Sequence, residues 1–71
     1  MTNTELLEDK ILKSGKKKCY LAKKVGLSRT GFRNCVTNKA EFTANQIDRL
    51  CTELNINDFE EIKSIFFAKI G

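Results

Sequence analysis

Seventy-one residues, 41% hydrophobic and 31% charged, make one small domain spanning residues 1–71, too apolar for a disordered tail and too short for a Rossmann-type cofactor fold. The chain has no His, which removes the commonest general base and metal ligand, and its three cysteines, Cys19, Cys35 and Cys51, are widely spaced with no CxxC pair, which argues against a zinc site or a disulfide framework. The net charge of +4 is unevenly placed: Lys10 to Ala40 holds ten basic residues and no acidic one, and the remainder holds three basic and nine acidic ones.

The first helix is predicted from Thr2, where Thr2-Asn3-Thr4-Glu5 has the spacing of a capping box. Leu7 and Ile11 recur on one face, with Leu6 and Leu12 beside them, and Ser14-Gly15 ends the helix. A short second helix follows at about 17–25, with Leu21, Ala22 and Val25 as its apolar face and Gly26 supplying a left-handed turn. Ser28 caps a third helix, on which Phe32, Cys35 and Val36 share a face and Asn38 takes the closing left-handed position. Residues 39–42 read as a loop. Thr43 to Gln46 repeats the capping-box pattern, and Ile47, Leu50, Cys51 and Leu54 follow at helical spacing up to Asn55. Asn57-Asp58-Phe59-Glu60 caps a fifth helix carrying Phe59, Ile62, Ile65, Phe66 and Ile70. No stretch alternates with period two, so the fold class is all-α: five short helices around one core.

An unbroken basic block inside a folded domain repels itself, a cost that an anionic partner relieves. It overlaps the second and third helices. These are two short helices joined by a tight turn, the skeleton of a helix-turn-helix, with small Ala22 allowing a close crossing.

The stretch from Lys18 to Cys35 resembles the helix-turn-helix of the Cro/CI-type phage repressor family. It is most similar to small Cro-like proteins of Gram-positive phages and prophages, and the flanking helices extend the likeness over most of the chain. The resemblance implies a compact five-helix, lambda-repressor-like DNA-binding domain. It implies a sequence-specific transcriptional repressor that inserts a helix at about 28–37 into the major groove of double-stranded operator DNA. Arg29, Thr30, Asn34 and Arg33 are the implied base-reading residues; Arg can pair with guanine O6/N7 and Asn with adenine N6/N7. Lys17, Lys18, Ser28 and Lys39 are the implied phosphate contacts. The chain departs from the family pattern where Phe32 stands in place of a β-branched residue and Lys18 in place of Gln.

The apolar residues of the last helix exceed one core face, so Phe67 and Ile70 are expected to form an association surface, serving a weak homodimer that includes one formed on DNA. The alternative reading, from another class, is a protein-interaction module that binds and modulates a separate phage repressor. No catalytic constellation stands out, so neither an enzyme activity nor a cofactor is expected. Reduced cysteines, no apolar run of membrane length and no signal-peptide core give the expectation of a cytoplasmic protein without a membrane partner.

Overall fold

A computed structural model describes residues 1–68 as five α-helices: α1 (Thr4–Ser14), α2 (Lys18–Lys24), α3 (Arg29–Val36), α4 (Ala44–Glu53) and α5 (Phe59–Phe66). There is no strand among the described residues. Helix α2 packs against α3 and α4, and α1 against α3 and α5.

Helices this short cannot hold themselves together in water, so their ends must be well satisfied and their faces buried. Helices α2, α3 and α4 stop in the same way. Gly26, Asn38 and Asn55 each adopt a positive φ (76°, 67° and 56°). The following N–H groups of Leu27, Lys39 and Ile56 donate to the carbonyls of Ala22, Asn34 and Cys51 at 2.9, 2.8 and 2.9 Å. This is the Schellman arrangement, which satisfies otherwise free helix carbonyls. At the starts of α3 and α4, Ser28 Oγ accepts from the Gly31 N–H at 3.0 Å and Thr43 with Gln46 completes a reciprocal capping box.

The expected capping box at Thr2 does not form. Asn3 caps α1 instead, its Oδ1 accepting from the Leu6 N–H. Thr2 is held by a tertiary contact: its N–H donates to Asn38 Oδ1 at 2.9 Å, and Asn38 Nδ2 donates to its carbonyl at 2.8 Å. The Thr4 hydroxyl adds a bond to the Val36 carbonyl at 2.7 Å, and the Asn3 N–H donates to the Ile65 carbonyl at 2.6 Å. The first four residues thus tie the end of α3 to the end of α5.

The core contains Leu7, Ile11, Leu21, Ala22, Val25, Phe32, Cys35, Val36, Leu50, Cys51 and Leu54, as their helical spacing predicts. Leu6 and Leu12 stay exposed. Phe42, in the predicted loop, is also buried and links two elements: its ring lies 6.0 Å from Phe32 and 5.8 Å from Phe66, both edge-on. Phe59 corrects the expected inward face of α5. It lies close in helical angle to buried Phe66, yet it is 71% exposed, and in the first turn of α5 it is Ile62 that packs against the core. Of the expected association pair, Phe67 sits at the end of α5. Helix α5 ends at Phe66, so Phe67 is a capping residue beyond the helix rather than a position on it. Ile70 lies outside the described residues.

Candidate functional site

The exposed side of α3 follows from what its other side buries. Phe32, Cys35 and Val36 face the core, and at 100° per residue this turns Arg29, Thr30, Arg33 and Thr37 outward along one flank. All four are exposed. The four-residue turn from Val25 to Ser28 brings the start of α2 alongside that flank. Together they line an open concavity of about 920 Å³, whose walls are Arg29, Thr30, Arg33 and Thr37 of α3, Lys17, Lys18 and Cys19 at the start of α2, and Glu8 of α1, with Phe32 and Val36 at its floor.

Four cations and one carboxylate line this surface. Arg29, Arg33 and Lys17 form no ion pair among the described residues, whereas Lys18 Nζ sits 2.8 Å from Glu8 Oε2. Lys17 stands at the N-cap of α2 without offering a side-chain acceptor, as a lysine must. The concavity therefore presents planar guanidinium forks and an ammonium, donors suited to phosphate oxygens and to paired acceptors on a base edge.

Of the residues singled out from sequence, Arg29, Thr30, Arg33, Lys17 and Lys18 are brought together here. Ser28 borders them, its hydroxyl oxygen engaged in capping α3. Asn34 is half-buried and does not line the concavity, and its carbonyl accepts the Lys39 and Ala40 N–H groups. Lys39 is exposed just beyond the end of α3 and likewise does not line the concavity. Glu8 was missed by sequence reasoning, because nothing local tells which side of α1 will meet α2 and α3.

Folding also redistributes the basic block. Lys10 pairs with Glu61 at 2.5 Å, Lys13 with Asp9 at 3.0 Å, and Lys16 with Glu53 at 3.3 Å. With Lys18, four of the ten cations counted along the chain are matched by acids, three of them from other elements. A second cluster forms away from the concavity, where the Lys16 and Lys24 ammoniums lie 5.8 and 5.4 Å from the Tyr20 ring. Interaction with the Glu53 carboxylate raises the Tyr20 phenol above its usual range and, in return, lowers Glu53.

The thiols differ. Cys35 and Cys51 are buried; burial raises both, Cys51 to about 11, so they stay protonated at neutral pH and pack as small apolar groups. Cys19 is exposed. Among the described residues no three His, Cys, Asp or Glu side chains gather as a metal site requires, and no helix is long and apolar enough to cross a membrane.

A second, shallow groove of about 90 Å³ lies at the opposite chain ends, lined by Met1, Thr2, Glu41, Phe42, Ile47, Phe66 and Phe67. Phe67 is 57% exposed at its edge.

No protein-family model matches the chain, and no curated protein and no solved structure matches it, so the reading of its function rests on its own residues and their arrangement.

Proposed function

We propose that this chain is a sequence-specific double-stranded DNA-binding protein of the Cro type, a repressor in which α2, the turn at Gly26 and α3 act as a helix-turn-helix. The observation that carries the reading is the flank of α3: Arg29, Thr30, Arg33 and Thr37 are all exposed on one side, beside Lys17 and Lys18, with a single acid among them. An α-helix is about 10–12 Å across with its side chains and the major groove is about 12 Å wide, so α3 can lie in it. Arg29 is the first residue of α3, the end that enters the groove in such proteins. In this reading Arg29, Thr30, Arg33 and Asn34 read bases, and Lys17, Lys18, Ser28 and Lys39 hold phosphates on either side.

Arg29→Ala is expected to weaken binding to the preferred duplex by about 1–3 kcal/mol and to relax the preference at one base pair. Lys39→Ala should weaken binding to all duplexes alike and lower the magnitude of the log K against log salt slope by about 0.9. Fluorescence anisotropy on preferred and random duplexes separates the two behaviours. Equal losses on both duplexes for Arg29→Ala would remove it from the base-reading set.

The groove at the chain ends supports a second role for the same protein, self-association on paired half-sites about 34 Å apart or contact with a separate repressor. An exposed Phe67 beside Met1 and Ile47 is an apolar edge that association would cover. Phe67→Ser is expected to leave the helical fold and its melting temperature nearly unchanged while weakening dimer formation or cooperative DNA binding more than tenfold, about 1.4 kcal/mol or more. Sedimentation and thermal melts on the one variant check this. A variant with unchanged stability, association and DNA binding would leave Phe67 as ordinary surface.

A further inference from the structure

Glu8 is the one carboxylate on an otherwise cationic concavity. It comes from α1, and it holds Lys18 by an ion pair of 2.8 Å. Its other oxygen, Oε1, is buried and has no hydrogen-bond partner among the described residues. One oxygen of the carboxylate is thus held against the protein while the other, on Lys18, stays within reach of water.

Resting on the DNA-binding reading above, we propose that Glu8 is a specificity-determining residue: it occupies Lys18 so that this cation is withheld from duplex DNA in general and released only when α3 is seated in its preferred site. The two ends of the exchange are comparable enough for this to work. The Lys18–Glu8 pair is partly exposed, 57% and 41% on the two side chains, so water screens it and it opens at little cost. A loosely placed phosphate competes poorly with a carboxylate already at 2.8 Å. A phosphate fixed at hydrogen-bond distance by the docking of α3 competes well. The carboxylate also repels phosphates that approach the concavity without the compensating base contacts. Non-specific affinity falls more than specific affinity, and the ratio between them rises, which is the quantity that matters against a large excess of other sites.

The test is Glu8→Gln in the full chain, with Kd measured over a salt series on random duplex and on the duplex selected by the wild-type protein. Glu8→Gln keeps the size of the side chain and removes its charge, and a thermal melt confirms that the variant is folded. The expected result is tighter binding to random duplex by roughly fivefold to tenfold at 0.1 M salt, with the log K against log salt slope steeper by about 0.9, one added phosphate contact. Affinity for the selected duplex should change less than threefold, so specificity falls. In a Lys18→Ala background Glu8→Gln should no longer steepen the slope, because the cation it releases is gone. Asp48→Asn, which removes one exposed charge from α4 outside the concavity, should leave the slope unchanged. An equal effect of Asp48→Asn, or a steeper slope for Glu8→Gln without Lys18, would overturn the withholding role and leave a bulk charge effect. If the wild-type protein binds duplex and Glu8→Gln behaves identically, the role of Glu8 fails while the DNA-binding reading stands. If neither protein binds any duplex at low salt, both fail.

Discussion

Phe32→Ala is expected to remove most of the stability of the domain. Phe32 is 2% exposed and ranks among the largest fully buried side chains. It also begins the edge-on chain of rings that runs through Phe42 to Phe66, joining α3 to α5 across the 39–42 loop. Truncating a buried Phe costs about 3–5 kcal/mol, because the lost transfer energy is joined by a cavity the structure only partly closes. A domain of 71 residues has roughly 4–11 kcal/mol in all. The melting temperature should fall by tens of degrees, at about 4–8 °C per kcal/mol for this size. Phe32→Leu, which keeps much of the volume, should cost far less. A melt of Phe32→Ala within a few degrees of the wild type would contradict the packing of α3 on the core. Phe32 also lines the cationic concavity, so the same truncation should loosen the helix that carries Arg29 and Arg33.

Asn38→Ala is expected to cost about 3 kcal/mol, from two separable causes. Asn38 has φ 67°, a conformation that costs a residue with a Cβ about 1–2 kcal/mol unless it is Asn or Asp. Its side chain also both accepts from and donates to the backbone of Thr2, thirty-six residues away in sequence. Losing these bonds leaves partly buried backbone groups unpaired, at about 1 kcal/mol or more each. Asn38→Gly keeps the backbone freedom and loses only the bonds, so it should fall between the wild type and Asn38→Ala in urea denaturation. A glycine variant as stable as the wild type would mean that the bonds to Thr2 contribute nothing. Because the same four N-terminal residues also bond to Val36 and Ile65, loosening Thr2 should increase amide exchange at the ends of both α3 and α5.

What was legible in the sequence was what is decided locally. Ser28 and Thr43 start helices, a cap falls within Asn57 to Glu60, at Asp58, and Gly15, Gly26, Asn38 and Asn55 end helices, because each choice depends on a few neighbouring backbone groups. Core positions at helical spacing followed from the same short-range logic. Thr2 shows where that logic stops: its pattern fits a capping box, but Asn3 caps equally well and the side chain of Asn38 claims the Thr2 backbone. Phe42 was hidden because a single aromatic in a loop has no period, and Phe59 because helical angle does not say how far along its axis a helix is covered.

The candidate site was legible in the same uneven way. The wheel leaves one flank of α3 free of core residues, and Arg29, Thr30 and Arg33 line the concavity along it. Asn34, close to Thr30 in helical angle, is half-buried and does not line the concavity; its carbonyl is taken up by the closing turn of α3. The electrostatics were the least legible part. Counted along the chain, Lys10, Lys13, Lys16 and Lys18 belong to an unopposed block, yet Glu61, Asp9, Glu53 and Glu8 stand against them in the fold. Sequence distance does not reveal such pairings, and they leave the excess charge concentrated on fewer residues, Arg29, Arg33 and Lys17 among them.

The most direct measurement is a selection from a pool of random duplex DNA by the wild-type protein and by Arg29→Ala, run side by side at moderate salt. The proposal predicts that the wild type enriches a short common sequence, and that Arg29→Ala enriches the same sequence with one position relaxed, consistent with a guanidinium reading one base pair. A pool that stays random after repeated rounds with folded wild-type protein, together with no duplex binding at low salt, would contradict it.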